Sequence, residues 1–218
     1  MKEEVFVFGL TIRGLSCKLL VTIIGTSGVH VDMMKNEMNY ILRSDTTVFL
    51  VRELRLEFGA GKPGLLKRRL NYHVKTGDLY SPRRGVYSKD KNYDAFELGA
   101  KLYAPSYVSF ESVLSKEGVI FQRYPGIYLA SYLSRKITAD GKEFFYRKLS
   151  DKILFNPSGL ENNKGYSVAC KERAFLDMLY LDNKYHFDNL LGLNKGKVKE
   201  LSALYQDEKL EKRVKEYI

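Results

Sequence analysis

Residues 62–91 read KPGLLKRRLNYHVKTGDLYSPRRGVYSKDK, and this basic stretch decides the fold that the sequence predicts. It carries nine Lys and Arg side chains against two acidic ones, Asp78 and Asp90. The net charge of the whole 218-residue chain is +10, so most of the excess lies in this stretch. A local concentration of positive charge is typical of contact with an acidic partner, and nucleic acid is the commonest one.

The first half of the stretch predicts an amphipathic helix. Its apolar residues recur every four positions: Leu66, Leu70 and Val74. Pro63 stands at a favoured first-turn position, and Gly77 closes the helix. On a helical wheel His73 falls on the apolar side, which we expect to pack on two earlier helices. The opposite side is polar and basic, with Lys67 at its flank; it carries Gly64, Arg68, Asn71, Tyr72 and Lys75.

This polar side suits the major groove of DNA. Arg68 has the chemistry to grip guanine O6 and N7, and Asn71 to read adenine N6 and N7, each through paired hydrogen bonds. Gly64 lets the backbone at the helix start come close to a phosphate, where the helix dipole favours negative charge. The residues that we predict to bind DNA from this helix are Lys62, Gly64, Lys67, Arg68, Asn71, Tyr72 and Lys75.

The second half of the stretch predicts a β-hairpin with a basic tip. Two short extended segments, residues 78–80 and 85–87, flank Ser81-Pro82-Arg83-Arg84. We expect Arg83 and Arg84 to contact the DNA backbone or an adjacent minor groove. An exposed basic helix face is more often merely solvated, and the basic hairpin beside it favours DNA binding over that interpretation.

Two helices are predicted before this stretch, one at Lys35–Arg43 and one that starts before Val48. The run Ser44-Asp45-Thr46-Thr47 consists of residue types that cap helix starts, and Gly59-Ala60-Gly61 ends the second helix. The apolar residues of this second helix stand at helical spacing: Phe49, Leu50, Leu54 and Phe58. Three helices followed by a hairpin predict a winged helix-turn-helix over residues 34–91.

Residues 92–218 predict a second domain that mixes helices and strands, so the expected fold class is α+β. Helices are predicted at residues 94–103, 108–116 and 171–181, and two charged amphipathic helices between Lys195 and Ile218. Strands are predicted at residues 119–121, 126–134, 143–149, 153–155 and 166–169. Asp140-Gly141 predicts a tight hairpin turn.

Residues 1–33 form a leader with two open interpretations. The segments Val5–Phe8 and Leu10–Ile12 are strand-like, which favours an extra strand. Alternatively Met33 or Met34 is the true start, and this is the interpretation we favour because the recognisable organisation begins just after them. Arg13 and Lys18 interrupt the apolar run, which falls short of the roughly 20 residues of a membrane span.

The sequence predicts a binding protein without cofactor or metal rather than an enzyme. Its two cysteines and three histidines are scattered, which argues against a disulfide framework and a zinc site and makes a reducing cytoplasm the expected compartment. Glu172 and Asp177 are five residues apart on one predicted helix, hence about 140° apart, which does not suit an acid/base pair. We expect Glu172 to complement the helix dipole and Asp177 to bond a neighbouring strand or cap.

Three stretches resemble the AbiEi-type antitoxins of abortive-infection, type IV toxin–antitoxin systems. The first is Leu70–Tyr80 running into Arg83-Arg84-Gly85-Val86-Tyr87, the second is Leu102–Leu114, and the third is Lys171–Tyr180, which is similar to a Glu-Lys-Ala-Leu-Leu-Asp-type helix of that family. The second stretch is the most specific. Together they cover roughly residues 39–181.

The resemblance implies a function beyond DNA binding. Such proteins bind operator repeats through an amino-terminal winged helix-turn-helix and repress their own operon. Their carboxy-terminal domain counteracts a nucleotidyltransferase-type toxin without requiring a stable complex. The resemblance therefore assigns residues 34–91 to operator binding and residues 92–218 to the antitoxin domain. The alternatives are a transcriptional regulator without a toxin partner and an enzyme that acts on nucleic acid through Glu172 or Asp177.

Overall fold

The computed structural model of the chain describes residues 11–12, 15–16, 37–59 and 64–218. Strands β1 (Thr11–Ile12) and β2 (Leu15–Ser16) pair antiparallel within the predicted leader, whose other residues lie outside the described part of the chain. Residues 37–218 form one compact unit.

Its first part is a set of three helices and a three-stranded antiparallel sheet. The elements are α1 (Glu37–Arg43), β3 (Val48–Leu50), α2 (Val51–Phe58), α3 (Leu65–Thr76), β4 (Tyr80–Arg83) and β5 (Val86–Ser88). The strand order in the sheet is β3-β5-β4, so the first strand along the chain pairs with the last.

The remaining part surrounds a six-stranded mixed sheet. Its helices are α4 (Ala95–Leu102), α5 (Glu111–Lys116), α6 (Asp151–Leu154), α7 (Lys171–Leu181), α8 (Lys195–Ser202) and α9 (Glu208–Tyr217). Its strands are β6 (Ser106–Val108), β7 (Ile127–Ser131), β8 (Arg135–Ala139), β9 (Lys142–Lys148), β10 (Leu160–Asn163) and β11 (Tyr166–Ala169). The order is β10-β11-β6-β7-β9-β8, with β11/β6 and β7/β9 parallel and the other pairs antiparallel. The predicted mixed α+β class is confirmed.

The small sheet β3-β5-β4 is buried on both faces. Phe49 and Tyr87 are register partners, and both belong to a small apolar cluster with α1, α2 and α3. Leu50 and Val86 are the next partners and belong instead to the large core around the six-stranded sheet. Because successive residues of a strand point to opposite faces, the sheet separates two cores and contributes to each.

The prediction that a helix starts before Val48 is wrong. Val48, Phe49 and Leu50 form a strand against β5, and α2 begins only at Val51. All three residues are buried, so the strand lacks the alternation of apolar and polar residues that identifies a strand in a sequence. The cap-type residue Thr47 bonds the buried carboxylate of Glu97 through both its N–H and its hydroxyl.

A single helix over residues 108–116 is also contradicted. Ser106–Val108 is a strand between β7 and β11, and the helix that follows begins at Glu111. Phe110 separates the two elements with a φ of 55°, which no helix residue adopts. The burial of Tyr107 and Val108 in the sheet decides this outcome, since helix propensity is easily overridden by tertiary packing.

Two predicted strands are absent from the described part of the chain. Residues 119–121 are irregular, because the N–H groups of Val119 and Ile120 donate to the carbonyl of Leu114 at the end of α5. Residues 151–154 form the short helix α6 where a strand over 153–155 was expected. Short apolar runs do not distinguish a strand from a buried helical turn, and both predictions rested on such runs.

Other predictions from local signals are confirmed. Helix α7 spans residues 171–181 as expected, and two helices occupy the tail after Lys195. Asp140 and Gly141 form the turn between β8 and β9, both with positive φ (50° and 72°), as a two-residue hairpin turn of type I′ requires. The basic hairpin is present, but its strands extend to Arg83 and Val86, so that the turn consists of Arg84 and Gly85 alone.

Candidate nucleic-acid interface

Helix α3 is held by its apolar side and is bounded by two glycines in the left-handed region. Gly64 is the N-cap residue (φ 86°) and Gly77 the C-cap residue (φ 86°), whose N–H donates to carbonyls of the last turn. Leu70 is completely buried, and Leu66 and Val74 are partly buried against the same small cluster. The predicted apolar side is therefore confirmed.

The opposite side of α3 is exposed and carries unneutralised charge. Arg68 and Lys75 are exposed, and Lys67 is half-buried. Within residues 37–59 and 64–218 these three cations have no hydrogen bond or ion pair. Arg69, by contrast, pairs with the buried carboxylate of Glu37 (Nη1 to Oε1, 3.1 Å) and so fixes α3 against α1. Tyr72 is 61% exposed and does not pack into the core.

Asn71 is fixed by a contact that the sequence did not suggest. The hydroxyl of Tyr87, on β5, donates to Asn71 Oδ1 at 2.6 Å. Burial raises the pKa of Tyr87, so the phenol stays protonated and remains a donor. The amide N–H groups of Asn71 stay free to donate, and its oxygen keeps a second lone pair. Tyr87 thus orients Asn71 without using up its capacity to read a base edge.

Side-chain contacts fix the carboxyl end of α3, whereas its amino end has no side-chain cap. At the carboxyl end, His73 Nδ1 lies 3.1 Å from Asp78 Oδ2, and the Thr76 hydroxyl donates to the same oxygen. The hydrogen bonds from Thr76 and His73 lower the pKa of Asp78. At the amino end, no side chain caps the first turn, and a Cβ at Gly64 would meet open space. The predicted contact Lys62 lies outside the described residues.

The turn Arg84-Gly85 between β4 and β5 lies against the start of α2. The N–H of Val51 donates to the carbonyl of Gly85 (3.1 Å), and the hydroxyl of Ser81 bonds the carbonyls of Arg83 and Val86. Arg83 and Arg84 are both exposed. Neither makes a hydrogen bond or ion pair within the part of the chain that the structure describes. The turn therefore presents two free guanidinium groups on a backbone that is fixed from both sides.

Asp140, in the β8–β9 turn, connects strand β4 to the six-stranded sheet. The hydroxyl of Tyr80, on β4, donates to Asp140 Oδ1 at 2.6 Å, and that of Tyr93 donates to Oδ2 at 2.5 Å. The two tyrosine rings are stacked. These hydrogen bonds lower the pKa of the Asp140 carboxyl. Strand β4 is thereby attached to a hairpin turn 60 residues further along the chain, and Tyr93, after β5, is attached to the same turn over 47 residues.

We expect Asp140→Asn to destabilise the chain near neutral pH by about 1 kcal/mol, because it removes the charge and one acceptor while keeping a residue that tolerates positive φ. The lowered pKa of Asp140 means that its contribution is present above the unfolded pKa and is lost as the pH falls through the folded pKa. Urea unfolding at several pH values should show the difference between variant and wild type shrinking as the pH drops below about 4. A difference that stays constant over this range would contradict the assignment.

Asp177 and Glu172 occupy structural positions on α7. Asp177 is completely buried and accepts hydrogen bonds from Tyr107, Ser109 and Tyr205 (2.9, 2.7 and 2.6 Å), with Arg173 Nε at 3.4 Å. Burial raises its pKa, while Arg173 and the three hydroxyl donors oppose that rise.

Glu172 meets the start of α8 rather than a reacting group. Its carboxylate accepts from the N–H of Asn194 (3.2 Å) and lies 3.6 Å from Lys197 Nζ. Burial alone would raise the pKa of Glu172, but its hydrogen bonds and the nearby charge of Lys197 have the larger effect, so the pKa is lowered.

No group of three His, Cys, Asp or Glu side chains with metal-binding geometry is found among the described residues. None of the described helices is long and apolar enough to cross a membrane.

Two of the three stretches that resemble the antitoxin family, Leu102–Leu114 and Lys171–Tyr180, meet at the buried carboxylate of Asp177. Tyr107 and Ser109 come from Leu102–Leu114, whereas Arg173 and Asp177 come from Lys171–Tyr180. The guanidinium of Arg173 also donates to the carbonyls of Ile153 and Ser158. The two stretches thus form one connected part of the large core.

No protein-family model matches this chain, and no curated protein matches its sequence.

Proposed function

We propose that the chain is a DNA-binding protein whose residues 37–88 form a winged helix-turn-helix. The order α1-β3-α2-α3-β4-β5 and the strand order β3-β5-β4 support this assignment. In this arrangement α3 is the recognition helix that enters the major groove, and the β4–β5 turn is the wing that reaches the neighbouring backbone or minor groove.

One observation carries the proposal: the two sides of α3 differ in their contacts. The apolar side is buried against α1, α2 and the small sheet, while Lys67, Arg68 and Lys75 find no acidic partner in the described part of the chain. A surface that serves only for solubility usually mixes both signs of charge and pairs them. Unneutralised cations beside an oriented amide, Asn71, match the requirements of a duplex, whose phosphates take the charge and whose bases take the hydrogen bonds.

Binding of the purified chain to the DNA upstream of its own reading frame tests the proposal. We expect Arg68→Ala or Asn71→Ala to weaken binding by about 1–3 kcal/mol, or about 5- to 150-fold, and to relax the sequence preference if the side chain reads a base. Fluorescence anisotropy with operator and unrelated duplexes measures both effects. Lys199→Ala, on an exposed position of α8, is the matched control and should bind as the wild type does.

Absence of binding by the intact, folded chain would overturn the proposal. Equal losses for Arg68→Ala and Lys199→Ala would also contradict it, since that result would mean that only the total charge matters. Tyr87→Phe tests whether the orientation of Asn71 matters for binding. It releases Asn71 without changing any charge, so it should weaken operator binding less than Asn71→Ala and leave non-specific binding unchanged.

For the larger part of the chain we propose an antitoxin role. In this hypothesis residues 92–218 counteract a nucleotidyltransferase-type toxin while residues 34–91 silence their common operon at operator repeats. Its support is the sequence resemblance, together with the meeting of the second and third stretches at Asp177. The alternative is a transcriptional regulator without a toxin partner.

Co-expression with a nucleotidyltransferase encoded in the adjacent reading frame separates these two proposals. Rescue of growth by the wild type and also by the DNA-binding variant Arg68→Ala would support a separate antitoxin activity. Rescue by the wild type alone would mean that repression accounts for the effect. No rescue, or no such neighbouring gene, would favour the plain regulator.

We further propose that Glu172 and Asp177 act in folding rather than in catalysis. Each carboxylate accepts hydrogen bonds from neighbouring elements of the fold, and Asp177 is completely buried, so that no substrate can reach it. Incubation of the purified chain with labelled DNA and RNA tests this. Cleavage or modification that disappears in a folded Glu172→Gln variant would replace the binding proposal with an enzymatic one.

A further inference from the structure

A basic cleft of about 330 Å³ lies beside the wing, at the junction of three segments. The start of α2 contributes Arg52, the wing turn contributes Arg83 and Arg84, and the end of α4 contributes Lys101 and Tyr103. No acidic side chain lines it. Of these residues, the sequence pattern indicated only Arg83 and Arg84, because Arg52 and α4 are distant from them along the chain.

Three of the four cations in this cleft are not neutralised. Lys101 pairs with Glu97 at 2.8 Å, so its charge is compensated. Arg52 donates to the carbonyl of Lys101 (3.2 Å), a contact that orients the guanidinium and leaves its charge intact. Arg83 and Arg84 have no carboxylate partner within the described ranges.

The convergence of these guanidinium groups has an electrostatic cost that an anion would offset. Like charges held within one small cleft repel each other, and the repulsion is stronger beside low-dielectric protein than in bulk water. A guanidinium presents its donors in a planar fork that matches phosphate oxygens. Arg135 lies over the ring of Tyr103 (4.9 Å to the centroid) and adds further positive charge next to the cleft.

We propose that this cleft binds a backbone phosphate of DNA, with Arg52 as a contact residue beside the wing arginines. The inference rests on the proposed DNA-binding function and extends the interface beyond the recognition helix and wing. Because Lys101 and Tyr103 form one wall, the phosphate site is built jointly by the winged-helix part and by α4. A phosphate carries no sequence information, so the cleft contributes affinity and register rather than specificity.

Salt-dependent DNA binding tests the proposal with Arg52→Ala. Loss of one phosphate contact should reduce the slope of log K against log salt by about 0.9 and weaken binding about fivefold near 0.15 M salt. The loss should be equal for operator and unrelated duplexes. Arg123→Ala, which removes an exposed arginine outside the cleft, is the matched control and should change neither quantity. Circular dichroism melting should confirm that both variants remain folded.

The outcomes separate this inference from the proposed function. If Arg68→Ala weakens operator binding while Arg52→Ala leaves affinity and salt slope unchanged, the cleft assignment is overturned and the DNA-binding proposal stands. If the wild type binds no DNA, both fail. A loss confined to the operator sequence would overturn the phosphate assignment, because a phosphate contact cannot discriminate sequences.

A second arm uses inorganic phosphate alone as the probe. If millimolar phosphate raises the melting temperature of the wild type but not of Arg52→Ala, while DNA affinity is the same for both, the cleft binds a free phosphate and its assignment to DNA is overturned. If inorganic phosphate competes with DNA for the wild type and competes less well for Arg52→Ala, the DNA assignment is supported.

Discussion

Asp177→Ala is expected to lower the free energy of unfolding by about 3–5 kcal/mol, the largest effect of any single carboxylate in the described part of the chain. The substitution removes the acceptor of three buried hydroxyl groups and leaves the completely buried guanidinium of Arg173 without its counter-ion. Because small domains are stable by only about 5–15 kcal/mol, a large part of the total would be lost.

Urea unfolding followed by circular dichroism measures this loss. Glu200→Ala, at an exposed position of α8, is the control and should lie within about 0.5 kcal/mol of the wild type. Asp177→Asn should fall between the two, since the amide keeps one acceptor oxygen but not the charge. Tyr205→Phe, which removes a single hydrogen bond to Asp177, should cost about 1 kcal/mol. A change below about 1 kcal/mol for Asp177→Ala would mean that the buried network contributes little.

Glu97→Ala is expected to cost about 3 kcal/mol and to loosen the connection between the small sheet and α4. Glu97 is 1% exposed, accepts from the N–H and hydroxyl of Thr47, and pairs with Lys101 at 2.8 Å. The effect should be somewhat smaller than for Asp177→Ala, because Lys101 keeps its hydrogen bond to the carbonyl of Val48.

The same unfolding experiment, with Glu216→Ala on the exposed side of α9 as the control, measures this effect. Thr47→Val removes the hydroxyl bond to Glu97 and the acceptor of the Asp94 N–H, and it keeps the backbone N–H bond to Glu97. We expect the loss of these two hydrogen bonds to cost about 2 kcal/mol. If Glu97→Ala matched its control, the contacts of Glu97 would contribute nothing measurable to the connection between the small sheet and α4.

The small sheet β3-β5-β4 also shares a core with the larger part of the chain. Leu50 and Val86 lie on strands of the small sheet and pack into the large core. Separation of the chain after Lys91 would expose this face of the small sheet to water. An isolated fragment that ends at Lys91 is therefore expected to be less stable than the six-residue cluster around Phe49 and Tyr87 would suggest.

Features that depend on neighbouring residues were predictable from the sequence. Helix α3 follows from apolar residues every four positions and from Gly77 at its carboxyl end, although it begins at Leu65, two residues after the predicted start at Pro63. The β8–β9 turn follows from Asp140-Gly141, because few residue pairs adopt two positive φ angles without strain. In both cases the signal and the structure span the same few residues, so no distant contact was needed to decide between alternatives.

The strand Val48–Leu50 and the contacts of Asn71 and Asp140 were not predictable in this way. Burial on both faces removes the alternation that marks a strand, and the pairing partner of Val48–Leu50 lies some 40 residues further along the chain. The Tyr87–Asn71 and Tyr80–Asp140 hydrogen bonds join residues 16 and 60 positions apart. Such contacts depend on how the elements pack, about which spacing along the chain carries no information.

Residues 62–91 show the same difference between local features, which the sequence predicts, and contacts between distant residues, which it does not. The sequence by itself determined that this stretch is basic, that α3 has an apolar and a polar side, and that a hairpin with two arginines follows, since charge and periodicity are local properties. Only the tertiary structure decided which cations lack a partner, because neutralisation depends on distant carboxylates: Arg69 meets Glu37, whereas Arg68 meets none in the described part of the chain. It also brought Arg52 and the end of α4 beside the β4–β5 turn, since a cleft exists only where separate segments pack together.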